Sequence, residues 1–180
     1  MIFFVRAFVL AATLQTFSSF GVEMLKNGDF ESDMASWSIT DWKQEKGSAS
    51  IDSAVFASGK KSLKLVNDSP EQTTMLQQYK VDLIPQQKYT LKFKIKTLAL
   101  VPNDNEKGAG AAIMILNAGK HVIEGSPAGK WKQTSGTNDW QDCTIEFTPE
   151  NINGSSTLYL VLRKSTGTVY FDDISIVKNE

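Results

Sequence analysis

From Lys88 to Lys96 the chain alternates without a break, with Tyr89, Leu91, Phe93 and Ile95 on one parity and Lys88, Thr90, Lys92, Lys94 and Lys96 on the other. Successive strand side chains point to opposite faces, so this segment predicts a β-strand with one face on a core and one in water. Period two recurs in most segments after Leu25. Leu158, Leu160 and Leu162 alternate with Tyr159, Val161 and Arg163, the pattern of a strand buried more on both faces. Further strands are expected over Ser48–Asp52, Ser62–Val66, Met75–Leu83, Ala111–Leu116, Asp142–Phe147 and Val169–Val177. Turn residues separate them: Asn27-Gly28, Ser58-Gly59, Pro85, the stretch from Asn103 to Gly110, Asn153-Gly154 and Thr166-Gly167.

After residue 21 there is no sustained apolar stripe of helical period. Many short strands at regular spacing imply an all-β protein, a sandwich or a barrel. No internal repeat, low-complexity tract or linker divides the chain. The polar stretch from Gly125 to Asp139 reads as a long surface loop rather than a domain boundary. The expected organisation is one domain over residues 22–180.

Residues 1–21 read differently. A single charge, Arg6, lies inside an apolar run that includes Phe3, Phe4, Val5, Phe8, Val9, Leu10 and Leu14, with small residues near Ser19 and Gly21. That is the pattern of a secretory signal peptide, and cleavage after Gly21 would leave small residues at both recognition positions. The alternative, a membrane anchor, needs roughly 20 apolar residues, and Thr13, Gln15 and Thr16 interrupt the run. We therefore expect export, to the medium, the periplasm or the cell surface, with no membrane span left after cleavage.

Without its first 21 residues, the 180-residue chain keeps 159, enough for a proper core, with 18 basic side chains against 20 acidic ones. A near-neutral, interspersed charge gives no electrostatic footprint for nucleic acid. One cysteine, Cys143, precludes an internal disulfide. Its alternation with Ile145 and Phe147 marks it as a small buried hydrophobe rather than a nucleophile.

Several separated segments carry a resemblance. They are Leu25-Lys26-Asn27-Gly28-Asp29-Phe30-Glu31 followed by Trp37, then Ser58-Gly59-Lys60-Lys61-Ser62-Leu63-Lys64-Leu65, and finally Val169-Tyr170-Phe171-Asp172-Asp173-Ile174-Ser175-Ile176. Between them lie a turn entering a tyrosine-bearing strand, Pro85 to Thr90, and the stretch from Trp140 to Phe147 with Pro149 after it. In order and spacing the chain resembles the carbohydrate-binding modules of families 4 and 9, within the galactose-binding-like jelly-roll group. The resemblance implies a two-sheet antiparallel β-sandwich, a sugar site on the concave sheet or on loops at one edge, and commonly a structural calcium ion. Fold alone does not name the ligand.

For calcium, the resemblance nominates Asp29, Glu31, the backbone near Lys60, and Asp172. The residues give separate support. Tyr170, Asp172, Ile174 and Ile176 share one parity, which would aim the Asp172 carboxylate at the side of two isoleucines. A buried carboxylate needs a cation or several donors to stay charged, and calcium accepts carboxylate and carbonyl oxygens. The alternative is neutralisation by Lys60, Lys61 or backbone amides.

Sugars bury an apolar ring face on aromatic side chains while amides and carboxylates take the hydroxyls. Trp37, two residues before Ile39, reads as core, and Trp140 opens a strand at a structural position of the family. Trp42 and Trp131 stand among polar and charged neighbours and are the candidate platforms; plugging the ends of the sandwich is their other reading. Gln77 and Gln78, beside Tyr79, are candidates for polar contacts from a central strand.

A glycosidase needs two carboxylates flanking the scissile bond, and the sequence nominates no such pair. The one histidine, His121, lies in a turn-like Gly119-Lys120-His121 context, and nothing orients it toward Cys143. Phosphate-loop, zinc and serine-nucleophile motifs are absent. The expectation is a secreted, calcium-stabilised, non-catalytic domain that binds a polysaccharide or oligosaccharide, acting alone or beside a separate glycan-degrading enzyme. Two alternatives stand: a structural or adhesive cell-surface domain binding a protein, and a small jelly-roll glycoside hydrolase or polysaccharide lyase.

Overall fold

A computed structural model of the chain describes residues 22–40, 47–125 and 135–179. The signal-peptide reading of residues 1–21 lies outside the described residues. Ten strands follow in order: β1 (Ser38–Ile39), β2 (Ser48–Asp52), β3 (Ser62–Asn67), β4 (Thr73–Val81), β5 (Tyr89–Pro102), β6 (Gly110–Asn117), β7 (Lys120–Gly125), β8 (Gly136–Phe147), β9 (Ser156–Arg163) and β10 (Ser165–Lys178). They form two five-stranded antiparallel sheets. The front sheet runs β1-β4-β9-β6-β7 and the back sheet β2-β3-β10-β5-β8. No helix among the described residues is long and apolar enough to cross a membrane. The architecture is the expected all-β jelly-roll sandwich.

The alternation in β5 does what its sequence implies. Tyr89, Leu91, Phe93 and Ile95 are buried between the sheets, and the intervening lysines face outward. Leu63 and Leu65 of β3, Val169 and Phe171 of β10, and Ile145 and Phe147 of β8 join them from the back sheet. Leu76 of β4, Ile113 and Ile115 of β6, and Leu158, Leu160 and Leu162 of β9 close the core from the front. Rings interlock within it: Tyr89 stacks on Phe147 with centroids 5.5 Å apart.

The segment before β1 closes one end of the sandwich. Trp37 is buried as expected, although Ile39, the neighbour that suggested it, is exposed; its ring lies 5.3 Å from Phe30 and its indole N–H donates to the Asn27 carbonyl at 2.9 Å. The Gly28 carbonyl accepts from the Ile174 amide at 2.9 Å. Trp140 lies within β8, not at its start, and meets Tyr170 edge-on at 6.4 Å.

Three readings of the sequence need correction. Thr166-Gly167 is not a turn between strands: both residues lie in β10, where Gly167, at φ 108°, marks a register shift against β5, and the chain reverses at Lys164. Asp172 does not share a face with Ile174 and Ile176. In β10, Asp172 pairs with Lys94 and Ser175 with Lys92, so Asp173 and Ile174 together oppose one residue of β5. This bulge, with Asp173 at φ 50°, resets the alternation. Phe171, Ile174 and Ile176 therefore point inward while Asp172 lies on the lysine face. In addition, the stretch from Gly125 to Asp139 is not loop throughout, because β8 begins at Gly136.

Candidate functional site

The outer face of the front sheet is unusual for a surface. Its three neighbouring strands β4, β9 and β6 pair in register, so their outward residues form rows across the sheet. Thr73, Arg163 and Gly110 make one row, and Met75, Val161 and Ala112 the next. Gln77, Tyr159 and Met114 make the third, and Tyr79, Thr157 and Leu116 the fourth. Ser38 of β1 extends the third row and His121 of β7 the fourth. Met75, Tyr159 and Val161 form a buried cluster of their own, backed by Ala112, Met114 and Leu116, separate from the core between the sheets. An apolar floor carrying two tyrosines and an amide is suited to a ligand with apolar faces and polar edges.

Of the residues the sequence nominates, Gln77 and Tyr79 come together here. Tyr79 is 58% exposed, and the Gln77 amide donates to its hydroxyl. Gln78 goes elsewhere, because strand parity turns it inward. Its side chain accepts from the Lys26 amide and donates to the Lys26 carbonyl, both at 2.8 Å. Gln78 still borders a cleft of about 500 Å³ beside Tyr79, together with Lys26, Ser36, Lys80 and Asp82. Trp42 and Trp131 lie outside the described residues.

Tyr159 was not singled out from the sequence. Its alternation with the β9 leucines was visible, but the register that sets it opposite Gln77 was not. Burial and the nearby Tyr79 raise its pKa, against the hydrogen bond it shares with the Thr157 side chain, so its hydroxyl stays neutral.

The nominated metal residues gather at another place, around the turn before β3. Glu31 Oε1 accepts from the amides of Lys60 at 2.7 Å and Lys61 at 2.9 Å. It is seated against Gly59, where an added Cβ would fall 2.4 Å from the same oxygen. Asp29 lies beside it, accepting from the Glu31 amide at 3.4 Å. Asp172 is fully buried, its carboxylate accepting from the amides of Ala57 at 2.8 Å, Ser58 at 3.2 Å and Asp173 at 2.8 Å. Burial pushes its pKa up, against the pull of those three amides. Two carboxylates thus grip one turn from opposite sides. Among the described residues, however, no three acidic, histidine or cysteine side chains converge. Backbone amides, the alternative to a cation that the sequence left open for Asp172, already meet both carboxylates, and a calcium ion would need backbone carbonyls to complete its ligands.

Nucleophilic catalysis by the lone thiol has no geometry here. Cys143 is buried in β8 opposite Phe93 of the back sheet, and burial raises its pKa to about 11. His121 is exposed on β7 of the front sheet, in a strand rather than a turn.

The sequence profile of a family described as a carbohydrate binding domain matches residues 22–168. The chain belongs to that family. Among solved structures, a family 4 carbohydrate-binding module superposes with a TM-score of 0.59 at 19% identity, covering 86% of this chain and 99% of that one. A cyclase from Fischerella sp. shares the same carbohydrate-binding-domain fold, with a TM-score of 0.67 at 15% identity over 90% of this chain and 98% of the cyclase. The tRNA nuclease WapA of Bacillus subtilis (strain 168) is 26% identical over 171 residues. That match takes in 90% of this chain but only 7% of WapA, so this carbohydrate-binding domain corresponds to a small part of that protein.

Proposed function

We propose that this is an exported, non-catalytic carbohydrate-binding domain whose ligand lies on the outer face of the front sheet. The observation that carries the reading is the row Gln77–Tyr159–Met114 beside Tyr79, on an apolar floor. Tyrosine rings and methionine side chains take the apolar faces of sugar rings, while the Gln77 amide and the tyrosine hydroxyls take sugar hydroxyls. Four outward positions on each of three strands hold no carboxylate. This supports binding without cleavage, since glycoside hydrolysis employs a facing carboxylate pair.

Calcium has a structural part in this reading. Glu31 and Asp172, with Asp29 and the backbone near Lys60, would hold the ion, and its charge would fix the turn before β3 against the β10 bulge. The wider face, not the metal, meets the sugar. Trp42 and Trp131 remain proposed platforms, and a separate glycan-degrading enzyme remains a proposed partner.

A cyclase from Fischerella sp. TAU, solved in complex with the indole 4-(1H-indol-3-yl)butan-2-one, favours a second reading, because its fold is shared and the floor of this face is apolar: an aromatic small molecule bound in place of sugar. One experiment separates them. The protein is passed through native gels containing polysaccharides of several classes, and titrated with an indole in parallel. Retardation by a polysaccharide, with no indole binding, supports the carbohydrate reading; the reverse result overturns it.

A further inference from the structure

The row nearest the start of β4 differs from the other three. The three strands β4, β9 and β6 present twelve outward positions, four each, and Arg163 is the only one with a formal charge. Its side chain is exposed and makes no ion pair with a described residue, although six lysines elsewhere on the described surface do so.

Its neighbours leave it room. Gly110 faces it across β6, and a Cβ placed on Gly108 would lie 3.6 Å from Arg163 Nη1. The guanidinium therefore lies along a turn whose two glycines present no side chain. On the other flank, Thr73 is opposite Arg163 in register. Thr73 is 6% exposed, and its hydroxyl is the one buried side-chain polar atom among the described residues that has no partner. Buried polar groups are nearly always paired, so an orphan beside an unpaired guanidinium marks a place where the fold leaves a partner to be supplied.

We propose that Arg163 and Thr73 form an anion subsite at one end of the carbohydrate-binding face, taking the carboxylate of a uronic acid residue. The inference rests on the reading of that face as the glycan site. A planar guanidinium presents two parallel N–H donors to a carboxylate, and the threonine hydroxyl supplies a third donor or accepts from a ring hydroxyl. Tyr159 and Arg163 are four residues apart on one strand, about 14 Å at strand rise. A ligand that spans both is an oligosaccharide with an acidic unit separated from the sugar stacked at Tyr79 and Tyr159. A single sugar reaches one end only.

The test uses uronate-containing polysaccharides, each beside its carboxyl-reduced, neutral counterpart, in affinity gels with the full chain and with Arg163→Gln and Tyr79→Ala. The wild-type protein should bind at least one acidic polymer about ten-fold more tightly than its reduced partner. Arg163→Gln should abolish that preference while retaining the residual binding to the neutral polymer. Equal binding to both members of every pair, binding to neutral polymers only, or a preference that survives Arg163→Gln would overturn the subsite. The face itself is judged separately. If Tyr79→Ala leaves all polysaccharide binding intact, the site is elsewhere; if Tyr79→Ala weakens binding while Arg163→Gln does not alter the acidic preference, only the anion subsite fails.

Discussion

Gln77 of β4 stands directly opposite Tyr159 of β9, and its amide reaches along its own strand to the hydroxyl of Tyr79. One side chain thereby orients the exposed tyrosine next to the buried one. The amide is a positioning group for Tyr79 and a candidate contact for a sugar hydroxyl. Gln77→Leu keeps the volume and loses the amide. We expect polysaccharide affinity to fall about ten-fold, with stability within about 1 kcal/mol of wild type. Affinity gels and urea denaturation check the two halves, and unchanged binding would remove Gln77 from the site.

Thr73 carries a hydroxyl that the fold does not satisfy. Replacing it with valine removes the buried polar atom and keeps the shape. Thr73→Val should be neutral or stabilising by up to about 1 kcal/mol in denaturant melts, since an unsatisfied buried group is a cost. The same variant should lose affinity for acidic polysaccharide. A stability loss above about 1 kcal/mol would show that the hydroxyl has a structural partner.

Gly59 meets two constraints together. Its φ of 63° lies in the left-handed region, and the Glu31 carboxylate occupies the space a Cβ would take. Gly59→Ala should destabilise by about 1–3 kcal/mol through overpacking and backbone strain. Glu31→Gln at the other side of the contact should cost less, because its remaining carbonyl oxygen still accepts the amides of Lys60 and Lys61. The order of the two midpoints in urea tests the arrangement.

Asp172 makes stability depend on pH in a way that calcium should reverse. Burial raises its pKa in the folded chain. The folded state therefore holds the proton more tightly than the unfolded one. In chelator, the contribution of this group is fully present below the unfolded pKa and is lost as pH rises through the raised folded value. A bound cation favours the charged form, so calcium's stabilisation should shrink as acid protonates the carboxylate. Melting curves between pH 7 and roughly 4, with and without millimolar calcium, should converge at the acid end. Curves that coincide at every pH would contradict the calcium proposal.

Much of the sandwich was legible because strand parity is a local property. The alternations in β5 and β9 and the turns at Ser58-Gly59 and Asn153-Gly154 are readable without tertiary information, whereas Thr166-Gly167, with turn residues, lies inside β10. Asp172 shows the limit. One extra residue at a bulge reverses every later parity, and neither Asp172 nor Asp173 announces it. Gln78 shows the same limit from the other side, since adjacency to Gln77 in sequence places it on the opposite face. The site itself was half visible. Gln77 and Tyr79 could be named from polar and aromatic residues in a central strand, whereas Tyr159, Thr73 and Arg163 join them only through the register of β4 with β9.

The central claim is that the outer face of the front sheet binds a glycan, and Tyr79→Ala tests it most directly because that ring is exposed and its loss spares the core. The measurement is retardation of wild-type and variant protein across a polysaccharide panel, with melting temperatures taken on the same samples. We predict retardation of the wild type by at least one polysaccharide and about ten-fold weaker binding by Tyr79→Ala, at an unchanged melting temperature. Retardation of both proteins to the same extent, or of neither by any polysaccharide, would contradict it.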